Sequence, residues 1–171
     1  MKYSKKAVFT IVFAALCMTT SLFAQKFGHI NSQLLLMGSP LVKVADSELK
    51  VYQDELMNTG QAMVSKFEEG YKAYVAQVDN GSLSKVQMEK REGELAKSQE
   101  AIQKYEIEVQ QKIAKKREEL YAPILEKAKL AIDEVGKEGS FTMIFDTSSN
   151  GVVFAPDSED LLAQVKAKLA W

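Results

Sequence analysis

One cysteine, one histidine, one tryptophan and three prolines are all that this 171-residue chain holds of those residue types. The lone Cys17 lies in an apolar run near the start, so the chain can form no internal disulfide and no thiol-rich metal site. With His29 as sole histidine, ligand count argues against structural zinc. A Ser-His-Asp arrangement would have to use His29, and no nucleophile-elbow sequence exists to pair with it. Walker-type and GxGxxG loops are also missing, which leaves nucleotide binding without support. Paired acids such as Glu68-Glu69 and Glu118-Glu119 fit solvated helix faces. The sequence predicts no cofactor, no metal and no catalysis. It does not read as an enzyme.

Charge is nearly balanced, with 22 basic against 23 acidic side chains. The basic excess that would suggest a nucleic-acid partner is missing. Among the first residues, "MKYSKK" carries Lys2, Lys5 and Lys6 and no acid, "AVFTIVFAALCM" is apolar, and "TTSLFA" ends at Ala24. That order predicts a secretory signal peptide over 1–24, cleaved near Ala24/Gln25. The apolar run is too short to span a bilayer, so no stable membrane insertion of the mature chain is expected. Leu16 is too large for a lipoprotein cleavage site, and Cys17 leaves with the signal. Its removal takes three lysines and no acid, leaving a charge of about −4. An exported chain without disulfides must be held by packing or by a partner subunit.

Beyond the signal, "KFGHIN" reads as a short strand and "SQLLLMGSP" as a helical turn closed by Gly38 and Pro40. Apolar residues then recur at Ala45, Leu49, Tyr52, Leu56, Met63, Phe67, Tyr71, Tyr74 and Val78, in steps of three or four except for a gap at Thr59. That period marks one face of a helix. "QVDNGSLSK" interrupts it: Asp79, Asn80 and Gly81 form turns, and Ser84 with Gln87 fits a capping box. A second helix follows on Leu95, Ile102, Tyr105, Val109, Ile113 and Leu120, with Glu100–Lys104 and Glu108–Lys112 on exposed ground.

The two stretches, 41–78 and 84–122, match in length at about 57 Å each. They read as a long antiparallel hairpin, a tentacle over 41–122 with its tip at 79–83. Pro123 in "YAPIL" marks where the arm meets a body, and the helix continues to Gly136 or Gly139. "FTMIF" and "VVFA" read as two strands joined by "DTSSNG", and Pro156 and Asp157 open a last helix. In that helix Leu161, Leu162, Val165 and Leu169 have helical spacing, with Trp171 packed on it or frayed from it. The fold class is mainly α with a small β body over 25–40 and 123–171, the hairpin inserted between short strands. Three short strands need cover for their edges, which predicts a self-associating body.

These features resemble the Skp/OmpH family of periplasmic chaperones, along essentially the whole mature chain and in the same order. The residues that carry the likeness are "FGHINSQLLL", the "SP" before the first arm, the hairpin, "IFDTSSNGVVFA" and "DSEDLLAQVKAKL". "YAPIL" and "GHINSQ" are similar to the Bacteroidetes branch. The resemblance implies a homotrimer with a β-barrel-like body and three coiled-coil arms around a cavity. It implies an ATP-independent holdase in the periplasm of a Gram-negative bacterium, enclosing unfolded outer-membrane β-barrel proteins in transit. The best-known members are strongly basic and this mature chain is not, so no lipopolysaccharide site is carried over.

Leu49, Leu56, Leu95, Ile102 and Val109 suffice for most of a seam between the arms. Tyr52, Met57, Met63, Phe67, Tyr71, Tyr74 and Tyr105 supply more aromatic and thioether surface than one seam uses. They are the candidates for client contact, since pliable Met and aromatic faces suit shape-tolerant binding. For a turn centred near Gly81, Gly70 lies level with Glu92, beside Gly93. Two helical glycines at one level predict a soft joint, and Pro123 a second point of flexibility. The rival reading is a structural coiled-coil envelope protein, or an adaptor with one fixed partner.

Overall fold

The computed structural model describes residues 25–149, 151, 152, 154, 155 and 157–171; residues 1–24, where the sequence predicts a signal peptide, lie outside them. Strand β1 (Phe27–Ile30) leads into a short helix α1 (Ser32–Met37). Asn31 caps α1 by accepting from the Leu34 amide at 2.9 Å, and Gly38 closes it. Buried Ser39 then caps the next helix through the Leu41 amide, with Pro40 at the first position, where its missing N–H is no loss.

That helix, α2 (Pro40–Asp79), is the ascending arm of 40 residues. It ends in a Schellman motif: the Ser82 amide donates to Gln77 at 3.1 Å and the Gly81 amide to Val78 at 3.0 Å. Gly81 takes the left-handed conformation, φ 68°, that this ending requires. Ser84 and Gln87 form the expected capping box and start α3 (Lys85–Glu138), a single helix of 54 residues. Pro123 lies inside it without ending it; the ring removes one hydrogen bond, and the helix continues into the body.

The hairpin is inserted between β1 and β2 (Met143–Asp146), which pair in parallel from Phe27↔Met143 to Ile30↔Asp146. The strand expected at "VVFA" does not form among the described residues. Val152, Phe154 and Ala155 are in no strand, while Val153 and Pro156 lie outside the described residues. The chain crosses instead to the free edge of β1 and pairs there in parallel as β3 (Glu159–Asp160), giving the order β2-β1-β3. The cause is local. Asp146 is bonded to Ser32 and Ser148, and the Thr147 amide donates to Ile30, so the chain turns over the end of β1 at once. In the single chain the sheet is open.

The last helix, α4 (Leu162–Leu169), starts later than expected because Glu159 and Asp160 belong to the sheet. Its apolar spacing is as expected. Leu161, Val165 and Leu169 join Ile30, Leu35, Ala128, Ala131 and Val135 in the core, with Trp171 packed against it. Gly28 lets this layer close on the sheet, since a Cβ there would come within 2.7 Å of Leu161. The body core thus takes residues from both ends of the chain and from the foot of α3.

Candidate functional site

Across the hairpin the seam is tight only near the body. Ala45, Leu49 and Leu56 of α2 are buried, whereas Leu95, Ile102 and Val109 of α3 are half-buried. The gap at Thr59 in the apolar period is filled by Gly60, whose Cβ position lies 3.4 Å from the Tyr105 ring. Gly60 therefore faces Tyr105 where a turn centred on Gly81 puts Ile102, and Gly70 faces Leu95, not the level of Gly93. The offset comes from Ser82–Ser84, three non-helical residues that all follow Gly81 and shift the tip toward α3. Gly93 stands two residues from Leu95 in α3, with nothing within 4 Å of its own Cβ position.

The seven aromatic and thioether candidates divide into two groups. Tyr52, Met63, Phe67, Tyr74 and Tyr105 are half-buried along the seam. The Tyr105 hydroxyl donates to the Leu56 carbonyl at 3.0 Å, and that of Tyr74 to Glu92 at 2.5 Å. Lys116 bonds Glu48 across the arms at 2.6 Å with its ammonium 5.9 Å from the Tyr52 ring, and Tyr121 bonds Asp46. Hydrogen bonds to the carboxylates raise the Tyr74, Tyr121 and Lys116 pKa values, since each favours the protonated form.

Met57 and Tyr71 are different, at 69% and 52% exposed. They share a heptad position with half-buried Val64 and exposed Val78, each residue following a seam-facing position by one. Seven residues return to nearly the same side of a helix, so the four form a stripe along one flank of the outer arm. The Tyr71 ring lies 6.3 Å from that of Phe67, which joins the stripe to the seam. Exposed Val75 widens it. Val64 falls outside the apolar period of the seam, and the seven-residue spacing 57-64-71-78 is the mark it leaves in the sequence.

A second apolar surface lies on the sheet face turned away from the core. Phe27 and Phe145 pack there with ring centres 6.1 Å apart, beside exposed Met143 and Phe154. Phe27, Phe145, Phe154, Ala155, Asp157 and Ser158 line an open groove of about 250 Å³. His29 stands on the same strand face, its Nδ1 2.8 Å from Ser158 Oγ. Its partner is a structural serine that also donates to the Ala155 carbonyl at 2.9 Å. Among the described residues no group of three or more His, Cys, Asp or Glu could hold a metal ion. No helix among them is long and apolar enough to cross a membrane.

The family model "Outer membrane protein (OmpH-like)" matches residues 26–169. No curated protein matches the chain. Among solved structures, the fold is similar to that of a candidate outer membrane chaperone (OmpH-like) from Caulobacter crescentus CB15. That structure gives a TM-score of 0.73 at 16% identity, over 85% of this chain and 83% of that one. At such identity the likeness is one of fold.

Proposed function

The chain belongs to the OmpH/Skp-like family of periplasmic chaperones, and from that premise we propose that it is an ATP-independent holdase for unfolded outer-membrane proteins. The proposed role is that of a binding protein rather than an enzyme. The observation that carries the reading is the stripe of Met57, Val64, Tyr71 and Val78, apolar surface left open along one flank of the outer arm. A long unfolded client meets it in many weak, shape-tolerant contacts, and release needs no nucleotide. Holding the unfolded state lowers the free concentration available for aggregation. The half-buried candidates Tyr52, Met63, Phe67, Tyr74 and Tyr105 serve the seam first and present only their edges to a client.

The body, residues 25–40 and 123–171, is proposed to assemble as a trimer, with the hairpin 41–122 as a tentacle. Parallel sheets are normally covered on both faces, and here the face of Phe27, Met143, Phe145 and Phe154 is bare. Three such faces closed on one another would form a barrel-like centre and set three arms around a cavity. Gly70, Gly93 and Pro123 would let those arms adapt to client size.

The test uses the chain from Gln25 to Trp171 with several unrelated outer-membrane proteins diluted from urea, followed by light scattering without ATP. Suppression of aggregation for all of them, at about one trimer per client, is expected. Failure with every client, by folded and oligomeric protein, would replace this reading with a structural adaptor that binds one fixed partner.

A further inference from the structure

The two halves of the arm are built differently. In α2 the buried residues stop at Leu56, and in α3 they start at Ile124; no residue of either helix in the outer hairpin is buried. Three glycines, Gly60, Gly70 and Gly93, all lie in that outer part. Each costs a helix on the order of 1 kcal/mol relative to alanine. Cross-arm side-chain links follow the same division. Tyr121–Asp46, Lys116–Glu48 and Tyr105–Leu56 tie the arms at or below the Gly60 level, and Tyr74–Glu92 alone ties them beyond it.

Gly60 and Tyr105 sit at the boundary. The absent side chain of Gly60 makes room for the ring, and the ring reaches past it to the Leu56 carbonyl. Leu56 lies four residues before Gly60, so in the helix that carbonyl also accepts from the Gly60 amide. One oxygen thus joins the α2 ladder to the facing arm at the last level where the seam is buried.

We infer that the arm consists of two cooperative units, a fixed base and an outer hairpin from about Met57 to Ile107 that opens on its own, with Tyr105 on Gly60 as the latch between them. Opening costs little beyond the latch, because few buried contacts and few cross-links have to break there. Below it, the buried seam and two cross-links, Tyr121–Asp46 and Lys116–Glu48, must break together. The division is a property of the arm itself, whatever the arm binds.

Amide hydrogen exchange on the Gln25–Trp171 protein reads this directly. Amides of the outer hairpin should exchange at least about tenfold faster than those of Leu41–Leu56 and of α3 beyond Val109, with a step at Gly60 and Tyr105. Tyr105→Phe keeps the ring and removes the hydroxyl that holds the outer unit shut, so it should speed exchange of the outer-hairpin amides about five- to tenfold and leave those of Leu41–Leu56 unchanged. Tyr74→Phe acts within the outer unit and should likewise leave the base unchanged. Smooth loss of protection from base to tip would overturn the inference, as would outer amides that Tyr105→Phe leaves as protected as before. A loss of protection in the base equal to that of the outer hairpin, in either variant, would overturn it too.

Discussion

Ser32 Oγ donates to Asp146 Oδ2 at 2.6 Å, joining the first turn of α1 to the end of β2 across the whole inserted hairpin. The other carboxylate oxygen accepts from the amides of Ser32 at 3.1 Å and Ser148 at 2.9 Å. Burial would push the Asp146 pKa up, but these bonds favour the carboxylate and bring it below its ordinary value of 3.8. A depressed pKa stabilises the fold above the unfolded-state value, and the benefit is lost as pH falls through the folded one. Asp146→Ala should therefore cost about 1–2 kcal/mol at pH 7. The cost should shrink once acid protonates the wild-type carboxyl. Urea unfolding at neutral pH and near pH 3 checks this, and an equal cost at both would refute it.

Gly28 is required by contact rather than by backbone conformation. A Cβ would lie 2.7 Å from Leu161 Cδ1 and 3.2 Å from the Phe141 ring, and Leu161 is fully buried. Gly28→Ala should cost about 1–3 kcal/mol by overpacking. Leu161→Ala on the same background should recover part of that cost by opening space at the clash. Chemical denaturation of the single and double variants measures the coupling; strictly additive costs would mean the two sites do not meet.

The hairpin was legible because local chemistry marks it. Gly81 supplies a positive φ, Ser84 and Gln87 close a capping box, and Leu49 and Leu56 keep helical period along the seam. The sheet was less so. "VVFA" has the composition of a strand, but the Asp146 turn aims the chain elsewhere, and Glu159–Asp160 becomes a strand only because the free edge of β1 is beside it. No propensity marks that pair. The cross-arm register depended on where the tip is centred, which three loop residues on one side of Gly81 decide. Within the candidate set, Met57 falls outside the apolar period, but period could not separate Tyr71, which stands out, from Phe67 and Tyr105, which turn in.

The bare sheet face carries its own prediction. Met143 and Phe154 are 52% and 82% exposed in the single chain, so a charge at either position costs little there. If the face is the contact between copies, Met143→Glu with Phe154→Glu should disperse the oligomer into monomers with unchanged helix content. Sedimentation velocity with circular dichroism reads both quantities. A variant that assembles as well as the parent would move the contact to another surface.

The stripe on the outer arm makes the functional case testable apart from assembly. Met57 and Tyr71 are exposed and touch neither the body core nor the latch, so Met57→Ser with Tyr71→Ser should change stability by no more than about 0.5 kcal/mol. Removing two of four apolar groups from a surface of weak additive contacts should nonetheless weaken client holding about tenfold or more, since each exposed side chain contributes on the order of 1 kcal/mol. Titrating aggregation suppression against subunit concentration would show this as a shifted midpoint at unchanged oligomeric state. Serine at Tyr52 provides the contrast. That ring lies in the seam beneath Lys116, so its loss should act through arm stability and be largely recovered at lower temperature, whereas the stripe defect should persist. If the stripe variant holds clients as well as the parent, client contact belongs to another surface of the arm.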